Sequence, residues 1–170
     1  MNARPQATEA APYYFNYIDK VIGDDVIATL ENQLPEYAAF FSGISEQKSL
    51  HRYAPDKWSI REVLSHLNDA ERVFSFRAFW FARGFETAMP SFDQNVAVAN
   101  AAADQIAWAT HVEEFRRVRL ATVSLFRNLQ PEAWTRSGIA SDNRFTVRAL
   151  AYTIAGHLTH HGNIIRERYL

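Results

Sequence analysis

The stretch SIREVLSHLNDAERVFSFRAFWFARG, Ser59 to Gly84, opens on the strongest helix start in the chain and closes on a natural stop. Ser59 and Glu62 have the spacing of a capping box, in which each side chain bonds the other residue's backbone N–H, and Pro55 keeps the preceding backbone extended. Apolar residues recur at Ile60, Val63, Leu67, Ala70, Phe74, Ala78 and Phe81, the spacing of one helix face. Gly84 then offers the left-handed conformation that ends helices. The spacing predicts a long amphipathic helix of about six turns, which can bury its apolar stripe only against other helices.

The flanking sequence supplies them. Upstream, DDVIATLENQLPEYAAFFSGI has helical spacing through Val26, Leu30, Leu34 and Tyr37, and Pro35 should kink or divide that helix. Before it, YYFNYIDKVI reads as a short helix or a docking segment, and residues 1–12 as a flexible N-terminal arm to a domain over 13–170. Downstream, Phe85 to Asn100 is a long crossover with room for one helical turn. A third long helix follows from Asp104 to Leu129 through Trp108, Val112, Phe115, Thr122 and Leu125. After the polar stretch TRSGIASDNR, Thr146 can cap a fourth helix that runs to the C-terminus. No segment shows strand alternation, so the expected fold is all-α: a four-helix bundle with a long crossover between its second and third helices.

Composition narrows the function classes. The chain of 170 residues is long enough for one domain with a sizeable core, and its 12 Phe, 7 Tyr and 4 Trp need a packed interior. Eighteen basic residues against 19 acidic ones leave a net charge of -1, so no positive field draws in nucleic acid. There is no cysteine, and any bound metal must therefore use nitrogen or oxygen ligands. No apolar run approaches the ~20 residues of a membrane span, and the N-terminus lacks a signal-peptide core; the chain reads as a soluble cytoplasmic protein.

Three of the six histidines fall in GHLTHHGNI, Gly156 to Ile164. On the fourth helix the apolar stripe Val147, Leu150, Ala151, Ile154, Leu158, Ile164 and Ile165 passes through positions 157 and 161, whereas His160 belongs to a more polar face. His157 and His161 are one turn apart and direct both rings to one volume. His66, on the border of the buried stripe of the second helix, is the candidate third member. Two readings remain open on spacing alone: packed, hydrogen-bonded core imidazoles, or neutral ligands sharing one cation. Asp69, one turn beyond His66, can orient a ligand or pair with Arg72 or Arg77 at the surface. His51 and His111 are read as structural.

Four segments resemble the DinB-like (DinB/YfiT) family across about residues 13–170: RYAPDKWSIREVLSHLNDAERVFSFRAFWFARG, PSFDQN, FRRVRLATVSLFRNL and TVRALAYTIAGHLTHHGNIIRERY. The resemblance implies a four-helix bundle holding a divalent metal through one histidine of the second helix and two of the last, which correspond to His66, His157 and His161. Nitrogen ligation suits zinc or nickel. It further implies an enzyme that activates a water or a low-molecular-weight thiol, such as bacillithiol or mycothiol, for hydrolysis or S-transfer on a small-molecule substrate. The alternative is a non-catalytic metal-binding or stress-linked interaction bundle. Asp93 and Gln94 match a family motif and can close the pocket or merely cap a helix. A homodimer is suggested by the resemblance and by the aromatic surplus.

Overall fold

The computed structural model describes residues 3–170. A 3-10 turn at Pro12–Tyr14 leads into α1 (Phe15–Ile18). Asp25 caps α2 (Val26–Ser42) by accepting from the Ile27 and Ala28 amides at 3.1 Å each. Pro35 does not divide α2: it lies on the exposed side, where water can take up the carbonyl that the missing N–H leaves free. Next comes α3 (Ile60–Ala82) with the expected capping box, Ser59 Oγ accepting from Glu62 N at 3.1 Å and Glu62 Oε2 accepting from Ser59 N at 2.8 Å. Gly84 adopts φ +81°, open only to glycine at little cost, and the chain leaves the helix there.

The crossover carries more structure than the single turn its composition suggests. Asp93 caps α4 (Gln94–Ala101), an eight-residue helix whose alanines and valines show no clear apolar stripe. The third long helix starts later than expected, as α5 (Trp108–Arg127), because Asp104 is taken up by Ser59 Oγ at 2.5 Å and by Arg52 Nη2 at 2.7 Å. The polar stretch after it is a short β-hairpin rather than a loop, a local addition to the expected all-α bundle. Strands β1 (Ser137–Ala140) and β2 (Asn143–Thr146) pair antiparallel, with Ser137 opposite Thr146 and Ala140 opposite Asn143. Ser141 and Asp142, both at positive φ, make the two-residue turn. Met89 bonds Ile139 and Ser141 and so pins the crossover to the hairpin. Thr146 caps α6 (Val147–Ile164) by accepting from Ala149 N at 3.1 Å, and a wide final turn runs to Tyr169.

The packing runs α3 on α6 and α5, and α2 on α5 and α6, so the consecutive helices α2 and α3 stand across the bundle from each other. Residues 4–10, expected as a loose arm, lie against this bundle. Arg4 donates to Val21 O at 2.9 Å and to Asp19 at 2.7 Å, and Glu9, buried, accepts from Thr146 Oγ1 and forms an ion pair with Arg148. Burial works against the Glu9 carboxylate, and the bonds from Arg148 and Thr146 outweigh it, holding its pKa below the ordinary range.

Two apolar clusters fill the ends of the bundle. One centres on Phe81, Phe126, Phe145 and Tyr152, the other on Phe41, Leu64, Phe115 and Leu158. Between them lies a polar layer. Arg119, fully buried, donates to both oxygens of Glu71 at 2.8 and 2.9 Å and to Gln33 Oε1 at 2.8 Å. Gln33 Nε2 in turn donates to Ala155 O at 2.9 Å and to Thr159 Oγ1 at 3.0 Å. One connected set of bonds therefore joins α2, α3, α5 and α6. Arg119→Met is expected to lower the unfolding free energy by about 3–5 kcal/mol, since Glu71 is left buried without its cation. Adding Glu71→Leu should recover most of that loss. Urea denaturation of both variants checks this, and a loss under about 1 kcal/mol in the single variant would show that the pair is not the clasp.

Candidate metal centre

Helix α3 presents His66 inward, and α6 presents His157 and His161 one turn apart on its facing side. His66 and His157 are almost fully buried, and His161 lies at the edge of the interior. One nitrogen from each of the three rings can be chosen so that all lie within 4.8 Å of one another. His66 Nε2 and His157 Nε2 are 3.1 Å apart. Two imidazole nitrogens each ~2.0–2.1 Å from one ion would stand about 3.0–3.4 Å apart, so this pair already has the separation that a shared cation requires.

The chemistry of the rings points the same way. Burial pulls the pKa of His66 down to about 4. Burial, reinforced by His66 and His160, pulls that of His161 down to about 3. His157 is driven well below its ordinary value by burial and then by the neighbouring rings. All three are therefore neutral near pH 7 with lone pairs to offer, the state that metal ligation needs. His66 Nδ1 has no hydrogen-bond partner, and its Nε2 meets only another imidazole. An unmet buried polar atom costs about 1–3 kcal/mol, a cost that ligation of a cation at the converging rings would offset. His111 is buried with Nε2 3.0 Å from Ala103 O and, like His66, an unpartnered Nδ1, and His51 is exposed beside Tyr169; neither joins the three converging rings.

Aromatic rings enclose the three imidazoles. Trp58 tilts against His66 at 5.1 Å between centroids, and Tyr17 and Phe74 meet the His157 ring edge-on at 5.0 and 6.2 Å. Tyr17 reaches this position because α1 runs against α6 at Gly156, where any Cβ would overlap the Tyr17 carbonyl. His160, on the other face of α6, touches Tyr17 and His161. One side is open: a cleft of about 420 Å³ lies beside His66 and His157, walled by Tyr13, Tyr14, Tyr17, Phe74, Arg77, Ser91, Phe92, Asp93, Gln94 and Ser141. This volume falls within the range of small-molecule sites.

The sequence of this chain between residues 29 and 165 matches the family model described as the DinB superfamily. The chain belongs to the DinB superfamily. Among solved structures, this DinB-superfamily chain is similar to YfiT from Bacillus subtilis, described as a probable metal-dependent hydrolase with an unusual four-helix bundle topology. The two share 17% identity at a TM-score of 0.68, over 83% of this chain and 84% of that one. A mycothiol-dependent maleylpyruvate isomerase is similar at 10% identity and a TM-score of 0.69, over 81% of this chain and 58% of the isomerase. At these identities the likeness establishes the fold. No curated protein matches the sequence closely.

Asp69 does not reach the imidazoles. Its Oδ1 accepts from Arg72 at 3.3 Å, and its pKa is raised by burial, against which Arg72 works, so the ion-pair reading describes it. Asp93 is both cap and wall, accepting from the Asn95 and Val96 amides while bordering the cleft. Periodicity gave no sign of Tyr17, whose place depends on the path of α1. Arg77 did carry a signal: with His66, Ala70 and Val73 it continues one helical stripe, where a charged residue should not be buried without cause.

The depressed values have a consequence for stability. Unfolded imidazoles take up protons below about pH 6.5, whereas folded His66 and His161 do so only near 4 and 3, so acid favours the unfolded chain. The metal-free protein is expected to lose stability steadily from pH 6.5 to pH 5, a window above the titration of ordinary carboxylates. His161→Gln should flatten that slope. Urea midpoints at pH 7 and pH 5 check it, and midpoints that fail to fall would mean the folded rings are protonated.

Proposed function

We propose that His66, His157 and His161 hold one divalent ion, zinc or nickel, and that the chain is a metal-dependent enzyme of the cytoplasm acting on a small molecule by hydrolysis or by transfer to a low-molecular-weight thiol. The observation that carries the reading is the convergence of three neutral imidazoles, one of them with an unpartnered buried nitrogen, beside an accessible cleft that His66 and His157 border. Three nitrogen ligands leave coordination positions free, as catalytic rather than structural sites do. A divalent ion held there supplies Lewis acidity and lowers the pKa of a water or thiol that joins it.

The chain's own groups define what surrounds that chemistry. Trp58, Tyr17 and Phe74 exclude bulk water from the rings and keep the local polarity low, which strengthens any charge interaction inside. Burial and the Tyr13 hydroxyl, 2.9 Å away, push the Tyr17 pKa up, so its hydroxyl stays protonated and can donate a proton in a hydrogen bond but cannot serve as a base near pH 7. Segment 91–94 and the hairpin turn close the far wall and so limit ligand length. The family resemblance and the description of the YfiT structure as a probable metal-dependent hydrolase support hydrolysis; the mycothiol dependence of the isomerase supports a thiol cosubstrate.

Protein purified without an affinity tag is expected to carry about one zinc or nickel per chain by elemental analysis. His66→Ala and His157→Ala should each reduce this to background while keeping the helical circular dichroism. Chelation should abolish turnover in a panel of hydrolase and thiol-transfer assays, and zinc or nickel should restore it. Wild-type protein that stays metal-free after zinc loading and dialysis would overturn the assignment.

We also propose a homodimer, supported by an apolar groove between α3 and α5 where Phe76, half exposed, stands beside Phe79, Val118 and Leu125. Sedimentation should show a dimer that Phe76→Glu converts to monomer; a monomeric wild type excludes it.

A further inference from the structure

Arg77 is 3% exposed and borders the same cleft as His66 and His157. Its Nη2 donates to Pro90 O at 2.8 Å and to Ser141 Oγ at 2.9 Å, which fixes the guanidinium to the crossover and to the hairpin turn. Both partners are neutral. Among the described residues no carboxylate lies within ion-pair distance of it, and Nε and Nη1 make no hydrogen bond. Asp93, the acidic residue on the cleft wall, is occupied in capping α4. The contrast with Arg119, equally buried and bonded to both oxygens of Glu71, shows how this fold treats a guanidinium whose role is packing. Burying a cation with no counter-ion costs several kcal/mol, and burial accordingly pulls the Arg77 pKa below its ordinary value.

We infer that Arg77 is the anchor for the carboxylate of a small monoanionic substrate whose flat, apolar body lies against Phe74 and whose reacting end faces the three histidines. Phe74 links the two ends of the site: its ring is 6.2 Å from that of His157, and Arg77 Cζ is 6.0 Å from the Phe74 ring. A ligand lying along that ring reaches both. One uncompensated positive charge matches one carboxylate, and the Nε and Nη1 donors left free are those a carboxylate oxygen accepts from. The tyrosine and phenylalanine wall favours an aromatic or otherwise planar body over a sugar or a polyphosphate. This inference rests on the proposed reading of the histidines for the location of the chemistry, though not for the anchor itself.

Calorimetric titration with benzoate and its neutral isostere benzamide tests it on the full-length chain, zinc-loaded and metal-free. In both forms benzoate is expected to bind at least tenfold more tightly than benzamide, and Arg77→Gln should remove that preference while zinc content stays at the wild-type level. Arg77→Lys retains the charge on a differently shaped donor and should keep the preference with benzoate weakened several-fold. Equal affinity for the two probes in metal-free wild-type protein overturns the proposal without reliance on any variant. Tighter binding of phenyl phosphate than of benzoate overturns the carboxylate assignment. The two readings fail separately: a chain that takes up no zinc yet discriminates benzoate through Arg77 refutes the metal and keeps the anchor, and a zinc-binding chain indifferent to Arg77→Gln does the reverse.

Discussion

A guanidinium with no access to water sets the register of this bundle. Arg119 sends its bonds from α5 to Glu71 on α3 and to Gln33 on α2, and Gln33 extends the set to Ala155 and Thr159 on α6. Apolar packing alone tolerates sliding of one helix past another, because leucines and phenylalanines fit many neighbours. A fork that must meet two carboxylate oxygens does not. Any slip of α3 against α6 by one turn, about 5.4 Å, would break this set and leave buried polar atoms unmet. Glu71 lies five residues beyond His66, and Ala155 and Thr159 flank His157, so the same bonds that fix the register also fix how the three imidazoles face each other.

The neighbouring polar groups are arranged quite differently. Around Arg119 the principal charges and amides are matched; around His66 and Arg77 they are not. His66 lacks a partner at Nδ1, three neutral rings crowd one another, and Arg77 is buried beside carbonyl and hydroxyl groups only. A fold that satisfies one buried guanidinium with a carboxylate can evidently do so, and leaving the second unsatisfied some three turns from the histidines carries a stability cost localised at the cleft. Such local violations of otherwise consistent packing are where binding and catalysis are expected, since an incoming ligand then finds groups already desolvated and oriented.

Much of this was legible in residue spacing, and the limits of that legibility are physical. The capping box at Ser59, the stop at Gly84 and the Thr146 cap are local signals, and they placed α3 and the start of α6. The pair His157 and His161 followed from period alone; that His66 meets them needed the family resemblance or the fold, because spacing within one helix says nothing about its partner. The hairpin carries no local signal, since four-residue strands are too short to show alternation and its turn is Ser141–Asp142 rather than a glycine pair. The arm at residues 4–10 reads as loose from composition, yet it is held by Glu9 to Arg148, an ion pair across 139 positions that no local rule detects. Asp69 is ambiguous for a related reason: it lies at a stripe border, where a rotation of a few tens of degrees decides between solvent and site.

That division has a consequence for how the site can vary. The three histidines stand on α3 and α6, the two elements tied by Gln33 and Glu71 through Arg119, and their geometry is therefore set by the rigid part of the molecule. The opposite wall is assembled from the crossover, the hairpin turn and α1, which are joined to the bundle by a few bonds each: Met89 to Ile139 and Ser141, Arg77 to Pro90 and Ser141, and the close passage of Tyr17 over Gly156. Changes in those segments reshape the cleft without disturbing the imidazoles. A scaffold of this kind can keep its histidine geometry while exchanging the molecules that reach it, so what the cleft takes has to be argued from the wall residues and not from the fold. Arg77 joins the two parts, rooted in α3 and bonded to both variable segments, which makes it the residue through which the shape of the outer wall is coupled to the orientation of whatever the cleft holds.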